Sequence, residues 1–315
     1  MVKTLILFES RYGFTEKISK DLALILGPAK YCRCSEFKGH LDNYEMVVLC
    51  SAVYEECIDE AIIGFVSNNR EKLKEKKIVL LCSCLAENMV NQYLKPLKDL
   101  LGDSVALEAS VGGILDMEKL SYEDHKSMEQ FCRFVGCTLE SSSTFDMGTF
   151  GSLALEIKSI KDEVQKVMPK EELIKHAEDF INKHNTCTLA TGHGGAVRAT
   201  PIEYSYFQGC LYIISEGGEK FSNIIVNSKV SIGIFDEYKG MDKLSGMQLS
   251  GTAELIEIGS GEYIKVLELK NISYDKIKCL PIALNLLKIN ISKIEFLCSA
   301  FSGLGYDIKQ ICTII

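Results

Sequence analysis

A chain of 315 residues has room for about two domains, each large enough to bury a real core. Hydrophobic residues make up 47% and charged residues 25%, which fits a globular protein, and a net charge of -8 argues against a nucleic-acid backbone as partner. No apolar run is long enough to span a bilayer, and the chain enters a strand too early for a signal peptide; both observations point to the cytosol.

The first half alternates strand and helix. Strands are predicted over 4–8, 30–34, 46–50, 77–83 and 105–111, and helices over 15–26, 61–69, 90–101 and 121–136, with Pro96 as a kink or break in the third helix. The helix over 121–136 opens in capping-box style at Ser121 and turns Met128, Phe131 and Cys132 inward. Continuous apolar strands separated by amphipathic helices predict a parallel sheet covered on both faces, with ligands beyond the carboxyl ends of the strands.

Four loops therefore matter. The first, Ser10-Arg11-Tyr12-Gly13-Phe14-Thr15, joins a buried strand to a helix start. Its hydroxyls, its one glycine and the unpaired N–H groups of the helix make a phosphate cradle, although an ordinary turn capped by Thr15 has the same pattern. The second loop carries Ser51, Val53 and Tyr54, the third Cys84 and Leu85, and the fourth Gly112 and Gly113. Together they suit a mononucleotide with a flat ring; the G-x-G-x-x-G pattern of dinucleotide sites is absent. An acidic set, Glu55, Glu56, Asp59 and Glu60, follows Tyr54. It is either a solvated helix start or negative charge beside a bound ring.

The 13 cysteines are odd in number and scattered, which is not a disulfide framework. Cys32/Cys34 and Cys82/Cys84 are pairs two apart on predicted strands and read as small apolar core residues. With no C-x-x-C and only five dispersed histidines, no metal site is expected.

On these loops, and on Val111-Gly112-Gly113-Ile114-Leu115, the first 140 or so residues resemble the flavodoxin family, in its branch of menaquinone-linked protoporphyrinogen oxidases. The resemblance implies a doubly wound sheet of order 2-1-3-4-5 and one FMN. It implies that Ser10, Gly13 and Thr15 hold the phosphate and that Tyr54 and Leu85 lie near the isoalloxazine ring. Quinone-linked porphyrinogen oxidation is one activity that it allows.

The polar stretch from Ser141 to Gly151 places the domain boundary near 150, giving domains 1–150 and 151–315, with helices over 157–166 and 170–183 opening the second. Beyond them the periodicity turns to short alternating strands: 186–191 and 196–201 as a hairpin, then 211–215, 230–235, 248–256, 284–291 and 294–297, with a short helix over 219–227. This predicts a small antiparallel barrel. Arg198, Thr200, Ser215, Lys220, Ser222 and Gln248 are its polar candidates; taken singly, each is an ordinary surface residue.

In order and spacing, the runs 184–191, 198–202, 211–215, 220–224 and 227–231 resemble the FMN-binding split barrel of the pyridoxamine 5′-phosphate oxidase superfamily. That resemblance implies that Arg198, Thr200, Pro201, Ser215, Lys220 and Gln248 surround a second FMN, and that a two-fold homodimer shares the site. The R-L-x-P type substrate motif of the true oxidases is missing from the end of the chain, 311–315, so vitamin B6 oxidation is not expected.

The expected whole is a cytosolic FMN-dependent oxidoreductase that passes electrons or hydride between a small-molecule or protein donor and an acceptor. The flavin performs the chemistry, so no acid–base or nucleophilic residue has to be named. A haem- or ligand-binding barrel served by the first domain is the alternative.

Overall fold

The computed structural model describes residues 1–136 and 138–314; Cys137 and Ile315, the last residue of the terminal run, lie outside the described residues. The chain divides into two compact units, 1–165 and 166–315. Among the described residues no helix is long and apolar enough to cross a membrane.

The first unit is built on five parallel strands: β1 (Thr4–Glu9), β2 (Ala29–Arg33), β3 (Met46–Tyr54), β4 (Lys77–Ser83) and β5 (Val105–Ser110). Their order across the sheet is 2-1-3-4-5, as expected. The near-continuous apolar strands β1, β3 and β4 are buried on both faces, as a sheet covered by helices requires, while the edge strands β2 and β5 are partly exposed. On one face Leu5, Leu7, Val47, Leu49, Ile78 and Leu80 pack with α2 (Glu60–Asn68) and α3 (Val90–Leu101). On the other, Ile6, Phe8, Val48 and Leu81 meet α1 (Phe14–Ile25), whose Ile18 and Leu22 point inward. Pro96 lies within α3 without ending it.

The helix predicted over 121–136 forms as α4 (Tyr122–Val135), but it does not cover the sheet. That position belongs to α5 (Met147–Glu163), which buries Phe150, Ala154 and Ile157 against α1 and the strands. Each of its large apolar side chains contributes about 1.5–3 kcal/mol on burial. Lys161, on the same helix, reaches the end of α1 and donates to the carbonyls of Leu26 and Gly27, the latter at 3.0 Å. The first unit thus extends past the polar stretch that marked the expected boundary near 150, and α5 belongs to it. The excursion between β5 and α5 is pinned at its root by a short antiparallel pairing of Ile114–Leu115 with Ser142–Ser143.

The second unit opens with α6 (Lys170–Lys183) and continues as an antiparallel sheet curled into a split barrel. Its strands are β6 (Thr186–His193), β7 (Ala196–Glu203), β8 (Ser205–Phe207), β9 (Cys210–Ser215), β10 (Lys229–Phe235), β11 (Ser245–Ile256), β12 (Asn285–Cys298) and β13 (Lys309–Thr313). The path runs 7-6-10-11-12-9-8, and β13 also pairs with β12. The hairpin of β6 and β7 turns through Gly194 and Gly195, both at positive φ, as a tight two-residue turn needs.

The two closing strands expected over 284–291 and 294–297 are one. The interruption is a β-bulge: pairing shifts between Ser250 and Gly251 and leaves Ser292 as the extra residue. Gly251 is required there, because a Cβ would lie 2.4 Å from the Asn290 carbonyl oxygen. Between β9 and β10 lies α7 (Lys220–Val226), and between β11 and β12 lies α8 (Gly261–Leu269). The latter forms a separate small core of Tyr263, Val266 and Leu267 with Tyr212 and Leu286.

Candidate functional site

The carboxyl ends of β1, β3 and β4 open into a cavity of about 440 Å³ within the first unit. It lies where the strand order reverses between β1 and β3, the switch point of a doubly wound sheet. The loop 10–15 forms one end. Gly13 takes φ 85 immediately before α1, a left-handed conformation that glycine adopts without penalty. Its N–H donates to the Ser10 hydroxyl at 3.0 Å. The first turn of α1 leaves N–H groups without helical acceptors at this end of the cavity. Two buried hydroxyls stand beside them: Thr15 Oγ1 and Ser83 Oγ, 2.9 Å apart.

The side wall is aromatic. The rings of Tyr12 and Tyr54 meet edge to face, with centroids 6.1 Å apart. The Arg11 guanidinium carbon lies 4.4 Å above the Tyr54 ring, and the Arg11 N–H donates to the Tyr54 phenol oxygen at 3.1 Å. Burial pushes the Tyr54 phenol above its ordinary range, with these donors opposing the shift. Tyr54 thus stays a neutral, fixed wall.

After Tyr54 the chain reverses in a two-residue hairpin, with Val53 paired to Ile58 and Tyr54 to Cys57. Glu55 and Glu56 occupy its corners at φ 50 and 63. Left-handed backbone at a non-glycine costs about 1–2 kcal/mol per residue. The acidic set is divided by this turn. Glu55 lines the cavity, Glu56 accepts from the Tyr93 phenol at 2.7 Å, and Asp59 caps α2 through the Ala61 N–H.

The floor comes from Cys84, Leu85 and Gly113. Gly113 packs so tightly that a Cβ would fall 2.7 Å from the Cys84 carbonyl carbon. The roof is the excursion with α4, which contributes Asp116, Leu120, Asp124 and Met128. Asp124 latches it across the mouth: its carboxylate accepts from the Tyr12 phenol and, at 3.4 Å, from Arg11 Nη1. The Ser121 N–H also donates to the Tyr12 oxygen, at 3.1 Å.

Of the residues singled out from the sequence, the cavity brings together Ser10, Tyr12, Gly13, Phe14, Thr15, Val53, Tyr54, Cys84, Leu85 and Gly113. Arg11 lies behind Tyr54. Ser51 is buried, where its hydroxyl accepts from the Asp59 N–H at 2.9 Å and so braces the hairpin. Gly112 holds the floor from below, accepting from the Cys84 N–H at 3.2 Å. Ser83 and the roof residues had not been singled out. Ser83 is the last residue of an apolar strand, and the roof rests on long-range contacts, of Asp124 and Ser121 with Tyr12 and of Ser127 with Glu55, that no local pattern announces.

In the second unit the expected residues separate by sheet face. Arg198 and Thr200 lie on the inner face of β7, in register with Thr191 and Leu189. Lys220, at the start of α7, is buried and donates to the Gly217 carbonyl. Burial, and then the nearby positive charge of Arg198, lower its affinity for its proton. Arg198 is meanwhile ion-paired to Glu219. Ser215 closes the same turn, its hydroxyl 3.1 Å from the Gly217 oxygen. Thr200 Oγ1 is buried with no hydrogen-bond partner among the described residues. Pro201 and Gln248 lie on the outer face, in one register row with Thr188 and Gly233.

The comparisons follow the same division. A family model described as Flavodoxin domain matches residues 5–134, and one described as Pyridoxamine 5'-phosphate oxidase matches residues 173–298. No curated protein matches the chain. Solved structures similar to this chain include a FAD-binding protein from Mesorhizobium loti, with 18% identity over 38% of this chain and 89% of that one and a TM-score of 0.31. The heme storage protein of Vibrio cholerae has 20% identity over 39% and 91%, with a TM-score of 0.33. A heme binding protein from Mycobacterium smegmatis has 18% identity over 47% and 59%, with a TM-score of 0.37. The chain therefore carries a flavodoxin-like domain followed by a pyridoxamine-phosphate-oxidase-like domain.

Proposed function

We propose that this pairing of domains is an FMN-dependent oxidoreductase that passes electrons or hydride between a reduced donor and an acceptor. The observation that carries the reading is the cavity at the switch point, with hydroxyls and helix N–H groups at one end and Tyr12, Tyr54 and Leu85 along the walls. A phosphate suits the first end and a flat ring the second. The close approach at Gly113, where a side chain would collide with Cys84, fits a floor on which a planar group rests.

When bound, FMN supplies one- and two-electron transfer. This chain's residues do the rest. Ser10, Thr15 and the first turn of α1 hold the phosphate. Tyr54, fixed by Arg11, sets one ring face, and Leu85 and Gly113 limit the other. The roof, latched by Asp124, excludes water. Glu55 brings negative charge to the rim, which disfavours an anionic reduced ring and lowers its potential.

In the barrel, the inner group of Arg198, Thr200, Ser215 and Lys220 suits a second phosphate. An anion between two cations would relieve their repulsion and could accept a hydrogen bond from Thr200 Oγ1. Pro201 and Gln248 face the other way, so one barrel cannot surround one ligand with all six residues. A homodimer solves this: the inner group of one copy faces the outer row of its partner. Haem ligation by His184 is disfavoured, because its two ring nitrogens are engaged by the Phe180 carbonyl at 2.8 Å and by Asp236 at 2.9 Å.

The test is an absorption spectrum of the full chain with FMN counted per chain, alongside sedimentation. Paired near-ultraviolet and blue flavin bands, up to two FMN per chain and a dimer are expected. A Soret band, or no flavin uptake at all, overturns the reading.

A further inference from the structure

We propose that Cys82 and Cys84 form a dithiol–disulfide pair in the cavity wall, with Cys84 as the attacking thiol and Cys82 as the resolving one. The spacing of two places both side chains on one face of β4 and its extension, and their sulfurs lie 3.9 Å apart. Cys32 and Cys34 share that spacing, but a helical turn after β2 carries Cys34 away, and its thiol faces the Ala61 carbonyl at 3.8 Å.

The two thiols differ in access. Cys84 lies just past the end of β4 and lines the cavity, whereas Cys82 lies within the strand and is closed off. A small molecule in the cavity meets Cys84 first. The Cys84 sulfur also lies 3.5 Å from the Ser110 hydroxyl, so that hydroxyl and the Cys82 thiol can both donate to a Cys84 thiolate. The hydrogen bond from Cys82 lowers the Cys84 thiol against the effect of its burial; the same bond and burial raise Cys82. Acidity and access therefore assign the same order of attack.

The substrate class is a small disulfide; the rim carries both signs, with Glu55, Asp116 and Asp124 beside Lys17 and Lys119, and Asp116 is paired to Lys119 and Asp124 to Arg11, so charge does not select within that class. Cys84 attacks one sulfur of the disulfide and releases the first thiol, leaving a mixed disulfide on Cys84. Cys82 then attacks the Cys84 sulfur and releases the second thiol as the internal bond forms. The two cysteine protons end on the two released thiols. The protein loses two electrons, and the small disulfide gains them. Closure draws the sulfurs from 3.9 Å to about 2.05 Å, and because the Cys84 N–H is held by the Gly112 carbonyl, the movement falls mainly on the two side chains. The small ring formed is strained and so readily reopened by a dithiol.

The test uses the full chain without added flavin, equilibrated in cystamine–cysteamine mixtures, acid-quenched, alkylated with iodoacetamide and digested with trypsin. The segment between Lys77 and Lys98 holds Cys82 and Cys84 as its only cysteines, so exposed thiols such as Cys57 do not confuse the readout. Both thiols should vanish together in the wild type, with the peptide lighter by two hydrogens. Cys82→Ser should trap the mixed disulfide on Cys84, and Cys84→Ser should leave Cys82 reacting at least about tenfold more slowly. The proposal is overturned by a wild-type peptide that stays fully alkylated in cystamine, by a mixed disulfide that persists on wild-type Cys84, or by Cys82 reacting undiminished in Cys84→Ser.

Discussion

The hydroxyl of Thr15, in the first turn of α1, lies 2.9 Å from the hydroxyl of Ser83, at the end of β4. That contact ties the loop 10–15 to a strand on the far side of β3, so its shape is set by the sheet as well as by its own sequence. If Thr15 and Ser10 donate to the phosphate of FMN, replacing either by Ala should weaken FMN binding by about 1–3 kcal/mol, from several-fold to more than a hundredfold. Fluorescence titration of the full chain checks this; an unchanged affinity in both variants removes these hydroxyls from the site.

Asp124 joins α4 to Tyr12 and Arg11 across the cavity mouth. Asp124→Asn keeps the size and removes the charge, which at a hydrogen bond of this kind contributes about 1.5–3 kcal/mol. FMN release in stopped flow should quicken by roughly tenfold or more, with little change in the thermal unfolding midpoint. Unchanged release would mean that the roof does not gate the cavity.

Within the acidic set, only Glu55 lines the cavity, while Glu56 is held by Tyr93 and Asp59 by the cap of α2. Spectroelectrochemistry should therefore show a higher flavin potential in Glu55→Gln and a smaller change in Glu56→Gln. Added salt should reproduce part of the Glu55 effect. Equal shifts in both variants would point to the general field of the loop.

A pH test falls on the barrel. Glu262 accepts from Lys288 at 2.9 Å and from the Tyr212 phenol at 2.7 Å. These bonds, the one from Lys288 foremost, hold its carboxyl below the ordinary range. A depressed carboxylate stabilises the fold above its unfolded-state pKa, and that contribution is lost as pH falls through the folded-state value. Glu262→Gln should flatten the acid limb of the urea midpoint below the usual glutamate range. The loss near neutral pH should be small, about 0.5–1 kcal/mol, because the pair is partly exposed. An acid limb identical to wild type would show that this carboxylate does not contribute to it.

Most of the fold was legible because it rests on local pattern. Apolar runs such as 46–50 and 77–83 cannot be solvated, and the loop 10–15 carries its own turn and helix signals. Two things were not legible. Two helices compete to follow β5, and periodicity favours both α4 and α5; only packing decides, and Phe150, Ala154 and Ile157 fill the space beside α1. The interruption at Ser292 reads as a break between strands, yet a bulge leaves the same local trace. At the site, residues of the loops beyond the strands could be named from the sequence. Asp124 and Ser83 could not, since their meaning lies in partners more than sixty positions away.

The place of α5 bears on how this protein can be dissected. A truncation after residue 150 keeps all five parallel strands and every residue of the loop 10–15. It also removes Ala154 and Ile157 and strips Lys161 from the end of α1. Such a fragment would open to water the apolar strip of α1 and the strands that Ala154 and Ile157 cover, and its failure to hold a flavin would say nothing about the cavity. A cut after 165 leaves that strip covered.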